Sequence, residues 1–379
     1  MRVAVVGPTY PLKGGVAAHT TELAHRLEQA GHQTRLVSWS RLYPKALYPG
    51  EQAVPQGVPD LAPFPATSRP LAWDRPGSWW RVGRSLRASD PIGVDHVVLV
   101  HVVPAVVPAH LALLRALGRG TPVTVVAHNV LPHEPHPGAV QLVRALLRRA
   151  DAVLVHSAEQ AQLARSLGAR AVRQVPLPPH LPGGAALPRT PHDPPVRLLA
   201  LGMVREYKGT DLLIEAVQRA VAGGVDVRLT VAGELWGSAG DRVRELAAQQ
   251  GSAEVGSTDV VGLRAGYVPA PALAGLLAEH DVLALPYRSA TASQNALLGF
   301  AHGLPVLATR TGTFADDVRD GVDGLLVPPD DVGALAQAVA RLAAPGVLDQ
   351  LRAGVRAPDL DTPWKQYLDA ALGDGLDTP

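Results

Sequence analysis

Short, uninterrupted apolar runs alternate with helix-period segments along this chain, and the alternation restricts its fold more than any other feature. The run from Arg2 to Val6 has the pattern of a buried parallel strand. Val16, Leu23 and Leu27 then mark one face of a helix, and Thr34 to Val37 is predicted as the next strand. Such a strand–helix–strand unit predicts a parallel sheet covered by helices.

The same alternation continues along the sequence and restarts after a Pro-rich interruption between Pro176 and Pro195. Before the interruption we predict strands at 97–100, 123–127 and 152–155, and helices at 109–117, 139–150 and 158–167. After it we predict strands at 197–201, 227–232, 282–285, 306–308 and 325–327, and helices at 211–221, 273–279, 295–302 and 332–342.

We therefore predict an α/β chain of two Rossmann-like, doubly wound domains facing a cleft. The 379 residues suit two domains of ordinary size, and such sheets bind ligands beyond the carboxyl ends of their strands. The predicted boundaries are an N-terminal domain over 1–178, a Pro-rich linker over 179–196, a C-terminal domain over 197–358 and a tail over 359–379 that could cross back to the N-terminal domain. The Pro-rich stretch between Tyr43 and Pro91 is expected to be irregular, although Trp79 and Trp80 indicate partial packing.

Composition and charge remove several classes of function. A net charge of +1 argues against a nucleic-acid binder that relies on bulk electrostatics. The chain has no cysteine, which excludes disulfides, thiolate metal sites and a cysteine nucleophile. The apolar run at 2–6 is too short for a signal-peptide core, and no long apolar stretch predicts a transmembrane helix. We expect a cytoplasmic location, with a peripheral contact at the inner face of the plasma membrane left open.

The segment from Gly202 to Gly209, Gly-Met-Val-Arg-Glu-Tyr-Lys-Gly, is the strongest functional signal. It follows a predicted strand and opens a predicted helix. Arg205 and Lys208 would place positive charge beside a helix N-terminus, which is what binding of a diphosphate requires. The same spacing also fits an ordinary solvated loop.

A second strand-to-helix loop, from Leu285 to Asn295, is rich in small polar residues. Its N–H groups, together with Thr291, Ser293 and Gln294, could line a second face of a phosphate site. A helix cap by Thr291 or Ser293 explains the pattern equally well.

The N-terminal half offers two weaker signals. Gly14-Gly15 would let the backbone approach a ligand closely, although such a pair is more often only a turn and does not form a GxGxxG dinucleotide fingerprint. His128 ends a predicted strand, where an imidazole can donate to a leaving or attacking oxygen or can simply be structural. The prolines between His128, His133 and His136 disfavour a metal site there.

The segment from Val140 to Arg149 combines leucines with Arg144, Arg148 and Arg149. This pattern fits a helix that lies on a membrane surface. It also fits a core helix with a charged face toward solvent, which we favour.

Taken with these residues, the chain resembles glycosyltransferase family 4 over nearly its whole length. Gly14-Gly15 matches the N-terminal glycine loop of that family, and Gly202 to Gly209 is similar to its phosphate-binding segment, in an Arg-x-Tyr-Lys-Gly variant. Gly321 to Pro329 resembles a late Asp-Gly-x-x-Gly-Leu-Leu-Val segment of the same family. Short segments at 42–45, 78–79 and 128–134 look like a narrower bacterial subgroup.

The resemblance implies a GT-B fold with a nucleotide-sugar donor bound by the C-terminal domain and a glycan or lipid-linked acceptor bound by the N-terminal domain. It implies transfer with retention, without a bound metal or another cofactor. Arg205 and Lys208 would stabilise the departing diphosphate beside Gly202. The Gly14-Gly15 loop would approach that phosphate, and His128 would contact the reacting sugar or the acceptor.

One departure from the family concerns two glutamates separated by seven residues, which fall here at Ala290 and Leu298. The second is expected to hold the donor ribose, so that contact is lost or comes from elsewhere, and Glu234 is a candidate substitute. Two hypotheses remain: a retaining glycosyltransferase that builds a bacterial surface polysaccharide or glycolipid, and a non-catalytic nucleotide-sugar-binding partner of the same fold. No motif supports an epimerase or a phosphorylase.

Overall fold

The computed structural model describes residues 1–43, 52–54, 61–87, 93–132, 137–188, 194–249, 260–290 and 293–373. The chain divides into two compact units. The first consists of Met1–His180 together with the stretch from Asp359 onward, and the second consists of Leu181–Pro358.

The first unit contains a seven-stranded parallel sheet of order β3-β2-β1-β4-β5-β6-β7. Its strands are β1 (Arg2–Val6), β2 (Gln33–Arg41), β3 (Thr67–Ala72), β4 (His96–His101), β5 (Val123–Ala127), β6 (Ala152–Val155) and β7 (Val172–Gln174). Its first five helices are α1 (Gly15–Gln29), α2 (Pro76–Ser85), α3 (Val107–Leu117), α4 (Ala139–Arg149) and α5 (Ala158–Ser166).

The second unit contains a six-stranded parallel sheet of order β10-β9-β8-β11-β12-β13. Its strands are β8 (Val196–Leu201), β9 (Val227–Gly233), β10 (Val261–Ala265), β11 (Val282–Leu285), β12 (Val306–Thr309) and β13 (Gly324–Val327). Its helices are α6 (Thr210–Ala222), α7 (Gly237–Ala248), α8 (Ala270–Ala278), α9 (Asn295–Ala301), α10 (Phe314–Asp317), α11 (Val332–Leu342) and α12 (Val347–Gly354). Both sheets reverse strand order beside their first strand, so the predicted pair of Rossmann-like, doubly wound units is confirmed.

Continuous apolar strands arise because both faces of each sheet are covered. In β1, Ala4 and Val6 join one buried cluster while Val3 and Val5 join another on the opposite face. The second of these clusters is completed by α13 (Thr362–Leu372). Successive residues of such a strand are therefore all buried, which is the pattern that the sequence displays.

Helix α13 is held to the first unit by specific contacts as well as by burial. The indole Nε1 of Trp364, a side chain only 1% exposed, donates to the Pro179 carbonyl oxygen at 2.7 Å. Arg173 donates to the Ala370 carbonyl oxygen at 2.8 Å. Since an indole N–H needs a partner when buried, this hydrogen bond fixes the position of the ring.

The expectation that 43–91 is irregular was wrong for its described part, which contains β3 and α2. Strand β3 lies at the edge of the sheet, where Pro70 is tolerated and where exposed residues break the apolar pattern. Helix α2 packs on α3 through Gly83, since a Cβ there would lie 2.3 Å from the Leu113 carbonyl oxygen. A glycine at the contact carries no apolar signal, so the sequence does not reveal this helix–helix contact.

Candidate functional site

The two loops with phosphate-binding character flank the point where the second sheet reverses its strand order. The segment Gly202–Gly209 follows β8, the loop that begins at Pro286 follows β11, and these two strands are neighbours in the sheet. In doubly wound sheets this is the position at which ligands bind. The fold thus brings together two loops that are about 80 residues apart in sequence.

Glycines allow the two loops to touch. Gly209 has φ +63°, and a Cβ there would lie 2.0 Å from the Pro286 carbonyl oxygen. Gly202 has φ +101°, and a Cβ there would lie 2.9 Å from the Nζ of Lys208. The Lys208 ammonium therefore lies directly over the backbone of Gly202, and only glycine combines this backbone conformation with this approach.

Lys208 and Arg205 are each placed by an aromatic ring. The Nζ of Lys208 lies 5.4 Å from the ring centroid of Tyr287, and the guanidinium of Arg205 lies 4.6 Å from the ring centroid of Trp236. Burial lowers the pKa of Lys208, but the neighbouring Tyr287 and Tyr207 outweigh it, so the pKa is raised. Lys208 is therefore a fixed cation, and both side chains are held by cation–π contact.

Arg288 ties the two loops together. Its backbone N–H donates to the Tyr207 carbonyl oxygen at 2.7 Å, and its guanidinium forms a bidentate pair with Asp211 at 2.8 and 2.7 Å. It also donates to the Glu206 carbonyl oxygen at 2.8 Å. The hydrogen bonds and charge of Arg288 outweigh partial burial and lower the pKa of Asp211. A planar fork of this kind fixes both partners and keeps the Arg205–Lys208 segment in register with the second loop.

Of the other residues predicted at the donor site, one lies beside the first loop, two lie at the start of α9 and one is not described. Glu234 directly follows β9 and lies beside the first loop, since its carbonyl oxygen accepts from the Val204 N–H at 2.8 Å. Ser293 Oγ accepts from the Asn295 N–H at 3.4 Å, a contact of the helix-cap type. Gln294 is the residue immediately before α9. Thr291 lies outside the described residues.

At one of the two positions where glutamates were expected, an apolar side chain packs into the core. Leu298, on α9, is 3% exposed and belongs to the buried cluster that also contains Leu283 and Phe314. A carboxylate at this position would be buried among hydrocarbon groups, at a large cost in free energy. The local packing and the loss of the acidic residue are therefore consistent with each other.

In the first unit, the glycine loop and His128 lie against a cluster of buried histidine rings formed by His19, His156 and His180. Gly14 has φ +103° and α1 begins at Gly15, whose backbone hydrogen-bonds to His180. The His19 ring lies 5.3 Å from that of His180 and 4.6 Å from that of His128, measured between centroids. A Cβ at Gly14 or Gly15 would meet nothing within 4 Å, so the loop leaves open space.

Burial keeps these imidazoles neutral. Desolvation, followed by the charges of neighbouring histidines, lowers the pKa of His19 and His128 well below the ordinary value. His156, 5.0 Å from His128, has its pKa lowered to about 4 by desolvation. The Nε2 of His128 is buried without a hydrogen-bond partner within the part of the chain that the structure describes. A neutral imidazole can offer either a donor or an acceptor there.

Sequence reasoning missed His19, His156 and His180, which lie on different elements and share no local motif. His133 and His136 lie outside the described residues. Within the described ranges, no group of histidine and acidic side chains is arranged to hold a metal ion. No described helix has the length and apolar character needed to cross a membrane.

The arginine-bearing helix α4 turns its leucines inward. Leu146 and Leu147 are fully buried, and Arg149 donates to the carbonyl oxygens of Leu114 and Gly118. The expected charged face therefore belongs to a core helix, as favoured above. Arg144 and Arg148 are exposed on its other side.

Comparison with known protein families gives two matches that divide the chain as the two sheets do. Residues 14–180 match the model described as "Glycosyl transferase 4-like domain", and residues 195–344 match "Glycosyl transferases group 1". The two matches together span most of both units.

Individual relatives agree with these families. A GDP-mannose:glycolipid 4-beta-D-mannosyltransferase of Xanthomonas campestris pv. campestris is 30% identical over 290 residues, which is 70% of this chain and 74% of the relative. A D-inositol 3-phosphate glycosyltransferase of Acidothermus cellulolyticus is 29% identical over 257 residues, which is 63% of this chain and 56% of the relative. This chain spans about half the length of the first curated relatives it matches, 56% and 52%.

Among solved structures, the apo form of the lipopolysaccharide outer core galactosyltransferase WaaB superposes with a TM-score of 0.67 at 16% identity. The superposition covers 98% of this chain and 99% of that one. At this identity the likeness concerns the fold, which is GT-B.

Proposed function

The chain belongs to the GT4-type glycosyltransferases of the GT-B fold, and from this membership we propose that it transfers a sugar from a nucleotide-sugar donor to a glycan or glycolipid acceptor, with retention of anomeric configuration. The observation that carries the proposal is the placement of Arg205 and Lys208, both held by aromatic rings, where the second sheet reverses its strand order. Two fixed cations at such a point suit a diphosphate.

The proposed chemistry is electrostatic. The bond between the anomeric carbon and the diphosphate oxygen breaks, a bond from the acceptor oxygen to that carbon forms on the same face, and the acceptor proton passes to the departing diphosphate. Arg205 and Lys208 stabilise the negative charge that develops on the diphosphate. Because these side chains supply the positive charge, we propose that no metal or other cofactor takes part.

The first unit would bind the acceptor. We propose that His128, a neutral imidazole whose Nε2 lacks a described partner, contacts the reacting sugar or the acceptor hydroxyl. Gly14 and Gly15, which leave open space, would let the loop before α1 approach the donor phosphate. His19 and His180 would position His128 and the Gly15 backbone.

Donor selection rests on the second unit. Glu234, adjacent to the first loop, would replace the missing glutamate as the acceptor of ribose hydroxyl hydrogen bonds, and Gly202, Thr291, Ser293 and Gln294 would complete the donor site. The names of the relatives favour a hexose donor and a glycolipid acceptor. We propose a cytoplasmic location with peripheral contact at the inner face of the plasma membrane.

The second candidate is a non-catalytic nucleotide-sugar-binding partner of the same fold. The residues at the two expected glutamate positions, Ala290 and Leu298, favour it. The enzyme is favoured by the Arg205–Lys208 segment, which is held in place by close contacts at its glycines and by the hydrogen bonds of Arg288.

The test is a panel of UDP-, GDP-, ADP- and dTDP-sugars, with thermal stability and release of free nucleotide as the measurements. A donor at 100 times its dissociation constant should add roughly 2.7 kcal/mol of stability. Arg205→Ala combined with Lys208→Ala should abolish that gain, whereas Arg219→Ala, an exposed arginine at the far end of α6, should keep it.

Stabilisation by one donor class together with slow nucleotide release supports the enzyme. Stabilisation without release, with every acceptor tried, supports the binding partner. No stabilisation by any nucleotide-sugar would refute the donor site.

A further inference from the structure

The first unit has an apolar cavity of about 120 Å³ near the ends of β2, β3 and β4. Its walls include Trp39 within β2, Tyr43 after β2, Trp73 after β3 and Ala105 after β4. The remaining lining residues, Trp79 of α2 among them, are likewise aromatic, aliphatic or proline. The cavity therefore opens among connections at the carboxyl end of the sheet, the edge at which this class of fold binds ligands.

The largely apolar walls of the cavity favour a hydrocarbon ligand over a sugar. The Nε1 of Trp79 donates to the Ala72 carbonyl oxygen at 2.8 Å, so this indole N–H is already used. Five lining side chains have no hydrogen-bonding group, so a sugar ring placed against them would lose hydrogen bonds to water without replacement; they are Leu42, Ala105, Val106, Pro108 and Ala109. The volume is close to the ~150 Å³ of an apolar cavity that takes up benzene, so it suits a short stretch of alkyl or isoprenoid chain.

The segment that follows Trp73 carries positive charge. Residues 73–87 contain four exposed arginines and one aspartate, a net charge of +3, and Arg75 stands two residues after Trp73, which lines the cavity. The aspartate, Asp74, is already engaged by Arg41 in a bidentate pair at 2.7 and 2.9 Å. An apolar cavity beside exposed guanidinium groups matches a ligand with a hydrocarbon chain and an anionic phosphate.

We propose that this cavity holds part of the hydrocarbon chain of a phosphorylated lipid acceptor, with the lipid phosphate near Arg75. The proposal rests on the proposed function, because it assumes that the first unit binds the acceptor. Binding of the lipid's hydrocarbon chain needs no nucleotide-sugar donor. The cavity proposal and the proposed function can therefore be tested separately.

The structure offers a matched pair of variants. Trp73 and Trp80 are both 41% exposed, but only Trp73 lines the cavity. Ala105→Phe fills the cavity from an exposed position, while Trp73→Ala removes one wall. Both changes should weaken binding of the hydrocarbon chain, although one fills the cavity and the other opens it. Trp80→Ala should leave that binding unchanged.

The experiment is isothermal calorimetry of the full chain with n-dodecyl phosphate below its micellar concentration, and with ethyl phosphate as the chainless control. We expect saturable binding of dodecyl phosphate only, weakened about 10-fold or more by Ala105→Phe and by Trp73→Ala. Absence of saturable binding, or equal losses in Trp73→Ala and Trp80→Ala as in adsorption to a greasy surface, would overturn the proposal. Equal binding of ethyl phosphate would also overturn it.

The donor panel is run on the same variants. Retained stabilisation by the donor, with dodecyl phosphate binding lost, supports the cavity assignment. If the protein binds dodecyl phosphate but no nucleotide-sugar stabilises it, the proposed function is refuted. The cavity would then still be a site for a hydrocarbon chain.

Discussion

Gly209→Ala tests whether direct backbone contact between two loops builds the phosphate site. The added Cβ would lie 2.0 Å from the Pro286 carbonyl oxygen, at a residue with φ +63°. Gly224, just beyond the other end of α6, also has a left-handed φ of +87°, but a Cβ there would meet nothing within 4 Å. The two positions thus share the conformational cost and differ only in the clash.

The size of each effect follows from these distances. A non-glycine residue in the left-handed region costs about 1–2 kcal/mol, and this applies to both variants. Forcing a methyl group against a backbone oxygen adds a further cost of about 1–3 kcal/mol, as for overpacked cores. Gly209→Ala should therefore lower the free energy of unfolding of the second unit by about 2–5 kcal/mol, and Gly224→Ala by about 1–2 kcal/mol.

The first assay is urea unfolding of the full chain. The second measures donor binding, as the gain in thermal stability on adding the nucleotide-sugar that the panel identifies. Because relief of the clash must move Pro286 away from Lys208, Gly209→Ala should also weaken donor binding, and Gly224→Ala should not. Equal destabilisation by the two variants, or unchanged donor affinity in Gly209→Ala, would show that the loop contact does not position the cations.

Three further predictions concern single side chains. His156, whose folded pKa is about 4 against an ordinary 6.5, resists protonation that the unfolded chain accepts, so stability falls as pH drops from about 6.5 to 4, by up to ~1.4 kcal/mol per unit. Urea midpoints at pH 7 and pH 5 should therefore differ less in His156→Gln than in the parent. Trp364→Ala, which empties a buried site and leaves the Pro179 carbonyl without its donor, should cost about 3–5 kcal/mol in unfolding of the first unit while donor binding persists. Trp236→Leu should weaken donor binding by about 0.5–1 kcal/mol by releasing Arg205, whereas Trp236→Phe, titrated in parallel, should retain most of the affinity.

The parts of the fold that could be predicted are those whose burial is uniform. Strands β5, β6 and β11 have the bounds predicted for them, because strands covered on both faces are continuous apolar runs. Strand β3 was missed because it is an edge strand containing Pro70, and α2 because Gly83 makes its helix contact. In both, tertiary position rather than local composition determines the structure.

The candidate site divides in the same way. Arg205 and Lys208 stand within a few residues of each other on one loop, so a local motif could identify them. The rings that hold them, Trp236 and Tyr287, follow other strands and become neighbours only through the sheet order. The histidine cluster is more extreme, since His19 and His180 lie about 160 residues apart and no periodicity relates residues at that separation.

The docking of α13 against the first unit has a consequence for synthesis of the chain. The first unit begins to emerge from the ribosome before the second, but the apolar face that Trp364 and Tyr367 cover stays open until those residues are translated. At about 5–20 residues per second, the roughly 180 residues that follow His180 take about 10–40 s. The second unit is continuous in sequence and can close within that interval, so the half of the chain that is made first is the half that is completed last.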